Sequence, residues 1–173
     1  MRGNPFNRLA RRAEDVFTDR WVMEAIGQAM VGVTEDHFRD QSSPDGEPWE
    51  ALAASTKEAK GKNKTLAGVN SGRLLRSLDY EADATEVRWG SNLLHGYWFQ
   101  KGTKKHVIRA KNARALRFRV AGGGVVFRRS VNHPGQHARP YLGIGEEEER
   151  AVRDVTGREM RDLFCTAGGN HEV

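Results

Sequence analysis

Residues 116–131 read LRFRVAGGGVVFRRSV. Leu116, Phe118 and Val120 alternate with Arg117 and Arg119, and residues 121–124 supply a glycine-rich turn. The run 125–131 then returns, with Phe127 directed one way and Arg128 the other. A period of two is the mark of a half-buried strand, and two such runs about a turn form a hairpin. Strict alternation predicts hydrophobes on one face of this hairpin and Arg117, Arg119 and Arg128 together on the opposite face.

The hairpin sits inside a longer basic block. Residues 101–145 hold eleven Lys or Arg and no Asp or Glu, and Glu146–Glu149 follow at once. The formal charge of the 173-residue chain is only +5, so the remainder carries 17 basic residues against 23 acidic ones. Charge segregated in this way marks a surface that meets something acidic: nucleic acid, an acidic face of another protein, or a second copy of the chain. The candidate contact residues are Lys104, Lys105, Arg117, Arg119, Arg128 and Arg129. Plain solvated charge is the competing explanation. Phe118 and Phe127 would be stacking platforms for a single strand only if exposed, and the alternation points them inward.

Upstream of the block, Asn92 is placed to cap a helix carrying Leu93, Leu94, Tyr97, Trp98 and Phe99, and Gly102 reads as its stop. Before it, Tyr80 and Ala82 pair with Val87 and Trp89 about a turn at residues 83–85, ending at Gly90. Ser71 opens a short helix with Leu74, Leu75 and Leu78 on one side. Residues 57–64 form a lysine-rich loop, solvated or a second phosphate contact. In the turn at 42–49, Pro44 presets φ, Asp45 can bond its own backbone and Gly46 takes positive φ, while Trp49 and Leu52 pin the turn to the body. Residues 5–40 read as two helices or one kinked helix. In the second part, Trp21, Val22, Ala25, Ile26, Ala29, Met30, Val33 and Phe38 make an apolar stripe that faces either the core or another subunit.

Downstream, His133-Pro134-Gly135 breaks the strand. A last helix begins near Gly145, where four glutamates suit the positive end of the helix dipole, and Val152, Val155, Met160, Leu163 and Phe164 form its stripe. The sum is an α+β fold: a small, mostly antiparallel sheet of about four strands flanked by helices, with a long C-terminal helix. The expected division is a helical arm over 1–40, an α+β domain over 41–165 and a disordered tail over 166–173.

Composition narrows the function. A hydrophobic share of 38% and a mean hydropathy of −0.70 describe a chain that folds while leaving segments for partners. Cys165 is the one cysteine, so an intramolecular disulfide is impossible, which fits a reducing compartment. No run approaches 18 apolar residues and the first nine residues lack an apolar signal core, so no membrane partner is expected. His133 and His137 are four apart, but Pro134 and Gly135 between them forbid a helical ligand pair. The glycines at 122–124 have no phosphate-binding lysine and no following helix, and no Ser, His and Asp cluster emerges. A metal-dependent nuclease would want carboxylates beside the basic surface, and the block has none. These absences argue against an enzyme and give no reason to expect a cofactor.

The ordered segments carry a family likeness. Pro44-Asp45-Gly46-Glu47-Pro48-Trp49, Ser71-Gly72-Arg73-Leu74, Gly90-Ser91-Asn92, an aromatic-rich stretch ending in Gln100-Lys101-Gly102, a basic hairpin, and Ala138-Arg139-Pro140-Tyr141-Leu142-Gly143 follow in that order. The pattern resembles the virion-morphogenesis, or tail-completion, proteins of Mu-like tailed bacteriophages and prophages, over roughly residues 30–160. Leu94-His95-Gly96 departs from the Tyr-Ala pair of many members, and Trp98 and Phe99 enlarge the aromatic cluster. The resemblance implies a structural virion protein of the neck or tail end, made in the host cytoplasm. It implies a homo-oligomeric ring, taken as hexameric, that completes the tail and joins it to the head. The implied neighbours are a head–tail connector and a tail-tube or tail-terminator protein, with genomic DNA in the lumen as a further contact. The alternative is a nucleic-acid-binding protein using the basic hairpin of residues 101–139. The motif residues read as structural: Pro140 fixes the chain entering the last helix, Tyr141 and Leu142 dock it on the sheet, and Arg139 pairs with a neighbour's carboxylate or caps local carbonyls.

Overall fold

The computed structural model describes residues 20–52, 72–119 and 124–168. Helix α1 runs Arg20–Asp40. A single 3-10 turn at Leu75–Ser77 leads into strands β1 (Leu78–Ala82) and β2 (Val87–Ser91). Helix α2 (Leu94–Lys101) follows, then β3 (His106–Arg109), β4 (Leu116–Arg119), β5 (Val125–Arg128), β6 (Ser130–His133) and helix α3 (Glu146–Gly168). The class is α+β, as expected, and every strand pair is antiparallel. The six strands form three two-stranded ladders rather than one four-stranded sheet.

Most of the apolar stripe of α1 faces the core, while Trp21 at its start is 49% exposed. Val22, Gly27, Met30, Thr34, His37 and Phe38 are its buried residues, at the three- and four-residue spacing that places side chains on one side of a helix. Gly27 is there because the ring of Tyr80 lies against its Cα, where a Cβ would collide. Along its length α1 packs on α3 and across β1–β2. One cluster joins Val22 to Val155, with Ala25, Ile26, Ala29 and Met160 around them. A second joins Phe38, Trp49, Leu74 and Tyr141. In it Phe38 meets Trp49 edge-on at 5.7 Å and Tyr141 at 5.1 Å, the offset geometry that ring quadrupoles favour.

Helix ends differ from expectation in instructive ways. Ser71 lies outside the described residues, and the short helix expected after it is only the 3-10 turn, because Leu78 already belongs to β1. Helix α2 has Leu93, not Asn92, at its N-cap and no side-chain cap; the Leu93 amide donates to Ser91 Oγ instead. Gly102 does end α2, with φ 71 and its amide donating to Trp98 O. At α3, Glu148 reaches back to accept from the Gly145 amide at 3.0 Å, half of a capping box. Its other oxygen lies 2.7 Å from Nε2 of His37. The four-glutamate run is therefore not a uniform solvated cap: Glu148 is 1% exposed and ties α3 to α1. The helix continues to Gly168, into the stretch expected as a tail, whose remainder lies outside the described residues. The helix predicted before residue 20, the lysine loop at 57–64 and the tip at 120–123 also lie outside them.

The basic block forms one long ribbon. Residues 106–109 pair with 130–133, and 116–119 pair with 125–128 inside them. Between the two ladders, residues 110–115 on the outgoing side face only Arg129 on the return, and the Ala110 amide donates to Arg129 O. That six-against-one mismatch is why the expected single strand over 125–131 is split at Arg129. At the base, Thr103 and Gln136 exchange both backbone bonds and extend the outer ladder. From Val125 to His133 the return side spans on the order of 25 Å at about 3.3 Å per residue. Strands β4 and β5 pack chiefly on one another. The ribbon is thus an arm standing off a helical body.

Candidate partner-binding surfaces

The arm is held by a socket built from the signature residues. Two segments distant in sequence, around residues 49–50 and 139–142, run against each other. The Trp49 indole donates to Pro140 O at 2.7 Å. Arg139, 5% exposed, donates through Nε and Nη2 to the carbonyl of Glu50 at 3.3 and 3.1 Å. Arg139 thus caps a carbonyl within the chain, though one distant in sequence rather than local. Burial pushes its pKa below the usual arginine value, and the Glu50 charge partly offsets this. The Arg139 amide donates to Phe99 O, the last bond before the arm's base.

Gln100 completes the socket. Its Oε1 accepts from the amides of Tyr141 and Leu142 at 3.0 and 3.1 Å, and its Nε2 donates to Leu142 O at 2.6 Å. Tyr141 is buried, its hydroxyl backing onto Gly96, where an added methyl would come within 2.6 Å. Burial raises its pKa. Tyr141 docks in the Phe38–Trp49–Leu74 cluster, which Leu78 of β1 also joins, and Leu142 packs beside it and reaches Gly90 of β2, so the segment rests on the β1–β2 ribbon as well as on α1. The turn at 42–48 closes on this segment: Pro44 lies against Gly143 and Gly145, and backbone bonds from Gly46 to Ser43 and from Ser43 to Glu47 shape it. Gly46 takes φ 78, and Asp45 is exposed. Gly102 touches Ala138 and Gln136, and Gly90 faces Leu142. Pro44, Trp49, Gly90, Gly102, Ala138, Arg139, Pro140, Tyr141 and Leu142 thus converge, while Gly46 shapes the exposed turn beside them. Asp45 and Asn92 stay at the surface.

The arm itself is cationic and uncompensated. Lys104 and Lys105 sit at its base, Lys111 and Arg114 in the loop, Arg117 on β4, and Arg128 and Arg129 on the return, all exposed. Among the described residues none of these is in an ion pair with a carboxylate. The register overturns the expected two-faced pattern. Arg117 stands opposite Phe127, and Leu116 opposite Arg128, so Arg128 does not share a face with Arg117. Phe127 and Phe118 lie on opposite faces, and Phe127 is 58% exposed. Arg119 ends the strand opposite Val125. Each face of the β4–β5 ladder thus sets an arginine beside a hydrophobe, Arg117 with Phe127 and Arg128 with Leu116.

A groove of ≈ 920 Å³ opens where the arm leaves the body. Tyr97 and Trp98, edge to face at 5.0 Å, form one wall, and the stacked imidazoles of His106 and His133, also 5.0 Å apart, form the other. Leu94, 73% exposed, continues the apolar wall along α2. Among the described residues, no group of three or more His, Cys, Asp or Glu could hold a metal ion, and no helix is long and apolar enough to cross a membrane.

The sequence reading missed Gln100 as the clamp, the His37–Glu148 pair and the exposure of Phe127. Only Gln100 had a signal, its place in the Gln100-Lys101-Gly102 ending. The socket that the signature builds is matched by family comparison: the chain belongs to the phage virion morphogenesis family, with residues 4–161 covered. Its role is in phage virion morphogenesis. Comparison with curated proteins and with solved structures returned no match.

Proposed function

We propose that the chain is a structural protein of the phage neck or tail end, assembling as a homo-oligomeric ring that completes the tail and joins it to the head. One observation supports this beyond family membership. The signature residues build a socket that presents a cationic arm whose charges have no carboxylate partner among the described residues. Nine large hydrophobes are exposed against seven buried among the described residues, so the surface is made for contact. A connector above, a tail-tube or tail-terminator protein below and DNA in the lumen are the neighbours of such a ring. Alone, the chain is a monomer or a mixture, because ordering its polar segments must be offset by a partner's surface. Mass spectrometry of separated heads and tails, with cryo-EM of the intact particle, tests the placement. Density for a closed ring at the head–tail junction is the expected result. A chain found only in the infected cell, or spread along the tail tube, would overturn it.

A further inference from the structure

We propose that the β4–β5 ladder of the arm docks on the acidic shoulder of a second copy of this chain. The arm offers Phe127 beside Arg117 on one face and Arg128 on the other, with no carboxylate from residue 101 to 145. The complementary surface is on the same chain. Pro44 packs on Gly143 and Gly145, which brings the turn bearing Asp45 and Glu47 against the start of α3, bearing Glu146 and Glu147. All four carboxylates are exposed. Between them stands Ile144, 70% exposed. An exposed hydrophobe among anions on the shoulder thus complements an exposed hydrophobe beside a cation on the arm.

Each chain carries both halves at different places, so the contact is heterologous: the arm of one copy engages the shoulder of the next, and a rotation that closes gives a ring. A two-stranded ribbon without a covering layer is marginal in water, and docking would supply the missing layer. Nucleic acid would satisfy the arginines but leaves unexplained why Ile144 stands bare among the carboxylates. The inference deepens the ring reading and rests on it for closure, though not for the contact itself.

The test uses the full chain with Cys165→Ser and a single new cysteine, Arg128→Cys in one preparation and Glu146→Cys in another. Each must keep the parent's cooperative thermal transition. Mixed and treated with a short bismaleimide, the two give a cross-linked dimer several-fold more abundant than either alone, and high salt or Ile144→Ser reduces it. Equal dimer from each variant alone would overturn the proposal, as would no dimer in the mixture. Protection of Arg128→Cys by duplex DNA, without dimer, would assign the arm to nucleic acid instead. A chain that cross-links this way yet is missing from the particle would remove the neck reading and leave the contact standing. A ring in the particle without this cross-link would remove the contact alone.

Discussion

Two antiparallel ribbons of this chain differ in what covers them. In β1–β2, Tyr80 and Trp89 stand opposite each other, and the Tyr80 ring lies on Gly27 of α1. On the other face Glu81 stands opposite Arg88, which also pairs with Glu86 at 2.8 Å. Asp83 closes the turn by accepting from the amides of Thr85 and Glu86, bonds that hold its carboxyl below the usual carboxylate range. That ribbon is finished within the chain. The arm has the same two-stranded build and neither device: β4 and β5 pack chiefly on one another, and among the described residues no carboxylate pairs with the arm's arginines. In the proposed docking, a second copy supplies the layer and the charge that the arm lacks among the described residues.

The comparison breaks most severely if the body is struck. Phe38→Ala removes the ring between Trp49 and Tyr141, and a buried aromatic lost to alanine costs about 3–5 kcal/mol. Thermal unfolding should shift down by roughly 6–20 °C, at about 2–4 °C per kcal/mol for a chain of this size. Glu148→Ala leaves His37 buried without its partner and the Gly145 amide uncapped, a loss of about 3 kcal/mol. Glu148→Gln, which can still accept from that amide, should lose less, as measured by urea denaturation. Gly27→Ala drives a methyl into the Tyr80 ring, and overpacking of this kind costs about 1–3 kcal/mol. An unchanged urea midpoint for Gly27→Ala would mean that β1–β2 is not seated on α1 as described.

The two ribbons were unequally legible in the sequence. Alternation placed both hairpins, because period two survives without knowledge of the partner strand. It could not set the register of the arm. Arg119 pairs with Val125 across the five-residue connection, which puts Arg117 beside Phe127; a shift of one residue would have put the two phenylalanines together. The split at Arg129 depends on the six residues opposite it, a length mismatch that no local pattern reveals. The socket was visible only as an ordered set of motifs, since the bond from Arg139 to Glu50 spans 89 positions. His37 and Glu148 are 111 apart, and nothing local distinguishes Glu148 from its three neighbours.

The smallest effect on folding is expected at the arm. Arg117, Arg128 and Arg129, all exposed, changed together to Gln should cost no more than about 0.5 kcal/mol each, because exposed charges contribute little to stability. The same variant tests the central claim most directly when two numbers are taken together: its thermal midpoint and its ability to complement a phage lacking the gene. The account predicts a midpoint close to the parent's and a titre reduced by orders of magnitude. A normal titre from this well-folded variant would show that the arm's charge is only solvated surface, and would contradict the claim that the arm exists for a partner.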